Sequence, residues 1–455
     1  MNSRELVMNA IYNKKTPRVP WVPFVGCHAA KLIGVNAEEY FKDADLIVKG
    51  VTKAIEQYRP DGIPALFDLQ LEAEAMGCRL KWANENPPSV CSHPIEDGIR
   101  IADLRVPGEN DGRFPIVLDA TRRICKKFGA EKAVYGLITG PFTLALHLMG
   151  TDIFYNIIDE PERVHELLAF CREVCINTSR MYLEAGVDII AVVDPMTSQI
   201  SPDNFAEFVA PYAKAIFDYV RAQGRASMLF VCGNAKNNIE EMCKCGADGL
   251  SIDENIPLEY VRDICRRYGQ SFGGNIKLTV TMLFGTPADN VNDAMNCIAI
   301  GGDTGFILSP GCDMPFAVPA ENVKAVASVV FGEVADFMQA GNALEGVKVD
   351  LPDFSDKSKV HIDVVTLDSE SCAPCQYMME AVRAAAEPFG DKVQYQEHKI
   401  KQKEGVACMI RLGVENIPTI VVDGKIEFIS IIPDHDLLVS VLLNACKKKG
   451  IVAHV

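Results

Sequence analysis

Between Arg18 and about Phe331, eight short apolar, β-rich runs recur, most of them separated by longer amphipathic stretches. The runs lie at 19–26, 62–68, 132–140, 187–195, 225–233, 246–253, 270–276 and 302–312. The stretch SPDNFAEFVAPYAKAIFDYVRAQG shows what separates them. Ser201 offers a cap, Pro202 suits the first turn, and Phe205, Phe208, Val209, Tyr212 and Ile216 recur at helical spacing until Gly224. Eight strands alternating with helices over about 310 residues predict an α/β chain with a (β/α)8 TIM-type barrel. The longer segment 69–131 is expected to hold an insertion.

The 455 residues exceed one barrel and predict further domain structure. A polar stretch at 341–359 reads as a linker between a barrel at 1–340 and a domain at 360–455. Beyond it the order is strand, turn and helix, strand, helix, hairpin across Asp423–Gly424, and helix, which predicts a small thioredoxin-like α/β domain. A net charge of −16 argues against nucleic-acid binding. The N-terminus lacks the apolar core of a signal peptide, and no apolar run is long enough to span a membrane, so a cytoplasmic protein is expected. A homo-oligomer is compatible with the sequence.

Sixteen cysteines in such a chain are not expected to form a disulfide framework. Cys125, Cys171, Cys175, Cys265 and Cys297 lie in helix-like sequence and read as buried, inert thiols. In a barrel of this kind chemistry gathers at the C-terminal ends of the strands. Those ends carry Cys27, His28, Asp68, Gly140, Asp194, Cys232, Asp253, Asn275 and Cys312. Two cysteines on turns facing one pocket suit a soft metal such as zinc. The alternative is that Cys232 and Cys312 are small apolar fillers.

The segments FDLQLEAEAMGCRLKW, PSVCSHPI, GPFTLA, DPMTSQISPDNFAEFVAPY, FVCGN, GADGLSIDE, LFGTP and ILSPGCDMP carry a resemblance. Residues 1–335 resemble the uroporphyrinogen decarboxylase superfamily, and within it the methylcobamide:coenzyme M methyltransferases. The resemblance implies methyl transfer between a corrinoid on a partner protein and a small thiol or methylated small molecule. It also implies a zinc ion bound by His-x-Cys and a later Cys, which activates the incoming thiol. Cys232 and Cys312 match the two cysteines, but Phe230 stands where the histidine would be. Three outcomes stay open: His28 or Cys27 supplies the missing ligand, a carboxylate such as Asp194 or Glu74 does, or the two cysteines act without metal. Asp194 and Asp253 are candidates to orient substrate, and Asp68, Gly140 and Asn275 to line its site. The decarboxylases are expected to bind a polyacid through arginines in the first strand-end loop. Here no Arg occurs from Val19 to Tyr58, which argues against that reaction.

Cys372-Ala-Pro-Cys375, between a strand and a helix, resembles a thioredoxin active site, and Ile417-Pro418-Thr419 resembles its cis-proline loop. A helix N-terminus favours a thiolate at the first position, so Cys372 is expected to attack and Cys375 to resolve. The expected enzyme is a corrinoid-dependent methyltransferase with a fused dithiol domain. Two rivals remain: a thiol–disulfide oxidoreductase, and a redox-sensing binding protein whose barrel has lost zinc.

Overall fold

Every second residue of the strand Ala226–Val231 points to one side, and Ala226, Met228 and Phe230 share the barrel interior. The same alternation builds the whole sheet in the computed structural model, which describes residues 1–337, 347, 349, 351–370 and 372–452. The chain divides into two compact units, Met1–Gly341 and Asn342–Val455. Of the expected linker, 341–346, 348 and 350 lie outside the described residues, as does Ser371 beside the C-terminal cysteine motif.

The first unit is a curled parallel sheet with helices on its outside. Its strands are β1 (Gly62–Pro64), β2 (Ala133–Thr139), β3 (Ile189–Val193), β4 (Ala226–Val231), β5 (Gly249–Ile252), β6 (Ser271–Ile276) and β7 (Phe306–Pro310). They pair in chain order, each parallel to the next. The register aligns Val193 with Phe230, Phe230 with Ser251, and Gly274 with Leu308. All seven are buried on both faces, which is why they read as continuous apolar runs.

The expected first strand at 19–26 is not a regular strand. Pro20 and Pro23 have no N–H to give to a ladder. The segment still spans the gap between the sheet edges. Val22 N–H donates to Leu308 O at 2.9 Å and Leu308 N–H to Pro20 O at 2.9 Å, while Trp21 O accepts from Asp61 N–H at 2.8 Å. Seven strands and one proline-interrupted stave thus make a TIM-type barrel.

Helix α1 (Ser3–Ile11) starts at a capping box between Asn2 and Glu5 and sends Val7, Ala10 and Ile11 into the core at the N-terminal ends of the strands. Helix α2 (Pro141–Met149) follows β2, and α3 (Pro161–Ala185) packs against the β2 flank. The 69–131 insertion contains a two-residue-per-strand hairpin, Leu80–Lys81 with Ser89–Val90, and the helix Phe114–Phe128. No helix among the described residues is long and apolar enough to cross a membrane.

The second unit runs β8 (Val360–Thr366), α4 (Ala373–Ala386), β9 (Val393–Lys399), α5 (Lys403–Arg411), β10 (Thr419–Val422), β11 (Lys425–Ile429) and α6 (His435–Lys449). Its sheet order is β9-β8-β10-β11, with β8 parallel to β9 and antiparallel to β10. Residues 351–359 are turn and coil. Asp423 and Gly424 both have positive φ, 47° and 78°, the geometry of a tight hairpin turn. Val360, Ile362 and Val364 of β8 pack with Met378, Val382, Leu438 and Leu442 in a separate core.

Candidate functional sites

Cys232 lies two residues beyond Phe230, on the same side of the chain as the interior residues of β4, and so tops the core column. Cys312 follows β7, which is not a sheet neighbour of β4. The two sulfurs are bridged, across 80 residues of sequence, with Cα atoms 6.0 Å apart. Both cysteines are half-buried at the C-terminal rim. Below them Phe230 is fully buried, its ring 4.9 Å from Phe24 and 5.8 Å from Phe67. The floor under the sulfur pair is therefore aromatic and buried.

Polar contacts hold both turns. Gly233, at φ 89°, donates its N–H to Asp253 at 2.7 Å. The other Asp253 oxygen accepts from Asn255 N–H at 2.9 Å and from the Asn255 side-chain amide. Asn275 donates to Asp253 O at 3.1 Å and Ile256 O at 2.8 Å. On the other side, Gly311 N–H donates to Ile276 O and Met314 N–H to Phe24 O, and Asp313 accepts from Gly26 N–H at 2.7 Å. Asp253 and Asn275 thus position the Cys232 side of the rim. Burial raises Asp253 above its ordinary value while the Gly233 and Asn255 donors oppose that rise.

Other expected site residues are committed elsewhere. His28 is fully buried; its Nδ1 lies 3.1 Å from Phe316 O and its Nε2 2.7 Å from Tyr58 Oη. A carbonyl only accepts, so Nδ1 carries the proton and Nε2 takes the tyrosine hydroxyl. Burial pushes His28 down to about 4, so the ring is neutral. Neither nitrogen is left for a metal, which corrects the expectation that His28 replaces the missing histidine. Cys27 is buried, with its sulfur 3.9 Å from Glu85 O.

Asp194, expected at the rim, instead caps α2. It accepts from Thr143 N–H at 2.7 Å, Thr143 Oγ1 at 2.6 Å and Phe142 N–H at 3.2 Å. Gly140 permits this approach, because a Cβ there would fall 2.3 Å from the Asp194 carboxyl carbon. Burial raises Asp194 to about 6, against the pull of the three donors. Asp68 and Glu74 both bind the buried Arg113, at 2.6 Å each. Glu74 is therefore half of an ion pair rather than an open ligand.

Sequence reasoning missed Glu72. It lies between Asp68 and Glu74 in sequence, is buried, and accepts from Thr139 N–H at 3.2 Å and Thr139 Oγ1 at 2.8 Å. Burial lifts it to about 7. The acidic run in FDLQLEAEA signals carboxylates, but its spacing does not say which one turns inward.

Zinc, implied by the resemblance, takes cysteine, histidine or carboxylate ligands in a tetrahedral set. Cys232 and Cys312 supply two, Phe230 supplies none, and His28 is spent. Among the described residues no group of three His, Cys, Asp or Glu side chains is placed to hold a metal ion. The residues present do not fit the expected three-ligand site.

The second sulfur pair sits in the C-terminal unit. Cys372 occupies the N-cap position of α4 and is half-buried; Cys375, one turn on, is fully buried. Leu367 N–H donates to the Cys375 sulfur at 3.3 Å. Burial, then the adjacent Cys372 sulfur, push the Cys375 thiol well above its ordinary value. The Ile417–Pro418 peptide bond is cis.

Residues 2–331 match the family model described as uroporphyrinogen decarboxylase (URO-D). The chain belongs to the uroporphyrinogen decarboxylase family. Within that family it is similar to a methylcobamide:CoM methyltransferase of Methanosarcina acetivorans, 30% identical over 330 residues that cover 70% of this chain and 95% of the relative. A uroporphyrinogen decarboxylase of Anaeromyxobacter dehalogenans is 27% identical over 309 residues that cover 65% of this chain and 87% of the relative. A solved methyltransferase from Methanosarcina mazei superposes with a TM-score of 0.68 at 25% identity, covering 73% of this chain and 99% of that one.

Proposed function

We propose that the barrel is a corrinoid-linked methyltransferase, moving a methyl group between the cobalt of a corrinoid protein and a thiol or other small substrate. The observation that carries this reading is the convergence of Cys232 and Cys312 at the mouth of a barrel that aligns with methylcobamide:CoM methyltransferases over almost their full length. In the direction of thiol methylation, the acceptor sulfur attacks the methyl carbon, the carbon–cobalt bond breaks, and its electron pair stays on cobalt. The acceptor's proton passes to solvent or a base.

The chain's residues serve this step in two ways. The Phe24, Phe67 and Phe230 floor excludes water from the reacting sulfur, which strengthens it as a nucleophile. Asp253 and Asn275 fix the Cys232 turn, and Asp194 fixes the start of α2, so the mouth is set before substrate arrives. Zinc activation would require a ligand beyond those the chain presents, and no step here is routed through it.

The C-terminal unit reads as a thioredoxin-like dithiol domain, with Cys372 as attacking and Cys375 as resolving thiol. The support is the half-exposed sulfur at a helix N-terminus, the buried sulfur one turn later, and the cis-proline in one small unit.

The test uses anaerobically purified, thiol-reduced full-length protein with methylcobalamin and coenzyme M or methanethiol. Formation of cob(I)alamin and thioether, lost in Cys232→Ser and Cys312→Ser, is the expected result. No demethylation with any thiol would overturn methyl transfer to sulfur. Reduction of a model disulfide, lost in Cys372→Ser, tests the dithiol domain separately.

A further inference from the structure

The two sulfur pairs differ in state and in reach. The barrel pair is bridged, and its half-buried sulfurs stand on rim turns. The C-terminal pair is a free dithiol with one half-buried and one fully buried member. Most other barrel thiols are shut away: Cys27, Cys78, Cys171, Cys175, Cys243, Cys245, Cys265 and Cys297 are all buried. A disulfide on a rim, with no third ligand beside it, is the barrel's one bridge open to exchange among the described residues.

We propose that the Cys372–Cys375 dithiol reduces the Cys232–Cys312 bridge, so that the C-terminal unit opens the sulfur pair at the barrel mouth. This rests on reading that unit as a dithiol domain and does not depend on methyl transfer. The Cys372 thiolate attacks one barrel sulfur. The Cys232–Cys312 bond breaks, and the departing sulfur takes the electron pair and then a proton from solvent. Cys375 gives up its proton to solvent and attacks the Cys372 sulfur of the mixed disulfide. The second barrel thiolate leaves and is protonated. Two electrons and two protons have then moved from the C-terminal dithiol to the barrel bridge. An external dithiol returns Cys372–Cys375 to its reduced form. Carriage on one chain fixes the two pairs at a one-to-one ratio.

The experiment starts from full-length protein, wild type or variant, with the Cys232–Cys312 bridge closed, supplied with limiting dithiothreitol. Thiols are alkylated at intervals and mapped by mass spectrometry. Wild type is expected to open Cys232–Cys312 at least about tenfold faster than Cys372→Ser, as relay through a thiol carried on the same chain predicts. Cys375→Ser is expected to accumulate a peptide pair linking Cys372 to Cys232 or Cys312. Equal opening rates in wild type and Cys372→Ser, with no linked peptides in Cys375→Ser, would overturn the proposal. A model disulfide measured alongside separates two failures. If it is still reduced through Cys372, the dithiol reading stands and only the barrel as its substrate is wrong; if it is not, both fall.

Discussion

The two cysteine pairs are built by opposite means. Cys372 and Cys375 are brought together by one turn of helix, three positions apart, and need little beyond the local backbone. Cys232 and Cys312 are 80 residues apart and meet only because β4 and β7 close into one barrel. The first pair is a local device that keeps its geometry wherever the helix starts. The second is a property of the whole barrel, and every contact that shapes the rim bears on it.

The sharpest way to probe that difference is Phe230→His. It puts a nitrogen two residues before Cys232 and leaves the C-terminal pair untouched. The reduced variant is expected to retain about one zinc per chain where wild type retains none, because a third ligand completes the set. Metal analysis after anaerobic purification checks it, and circular dichroism with and without zinc separates lost metal from lost fold. A full equivalent of zinc in wild type would break the comparison, since the barrel pair would then be a metal site rather than the redox partner proposed above.

Next in size is His398→Ala. His398 Nε2 lies 2.7 Å from Asp363 Oδ1, and both side chains are buried in the β8–β9 sheet. Removing the imidazole leaves a buried carboxylate without that partner, at a cost of about 3–5 kcal/mol. Thermal unfolding should show a lowered transition for the C-terminal unit alone. If the barrel transition falls equally, the two units do not unfold independently.

The sequence disclosed these sites unevenly. The placement of Cys372 and Cys375 at a helix start was legible because it depends on local spacing. Cys232 and Cys312 were legible through strand alternation and resemblance, though not their bridge. The role of His28 was hidden, because Tyr58 and Phe316 approach it from 30 and 288 residues away. Asp194 looked like a rim carboxylate; its service to α2 depends on Gly140 leaving it room. The first stave looked like any other apolar run, and the weight of Pro20 and Pro23 shows only in the missing ladder bonds.

Glu72 offers a pH test of the barrel that the C-terminal pair should not feel. Its folded value, about 7, lies above its ordinary 4.5. Folding therefore favours the protonated acid. That contribution is fully present below about 4.5, shrinks as pH rises, and is gone above about 7. Glu72→Gln keeps a neutral side chain throughout. The stability of wild type relative to the variant is expected to fall by about 3 kcal/mol across that window, measured by denaturant unfolding of the barrel. A flat difference would mean that Glu72 stays ionised in the fold.

The smallest effect belongs to Asp253→Asn. The carboxylate holds the Gly233 N–H directly after Cys232, and it also gathers the Asn255 donors. An amide keeps one acceptor oxygen but loses the charge and sets an NH2 against one of those donors. A loss of about 1 kcal/mol in the turn is expected. It should appear as a change of a few-fold in the rate at which Cys232 and Cys312 close under mild oxidation, roughly what that energy allows. Closure of Cys372–Cys375, followed in the same alkylation experiment, should not change. That contrast is what a pair built by distant contacts requires beside one built by a helical turn; equal shifts in both pairs would mean that Asp253 acts on the whole fold rather than on the rim.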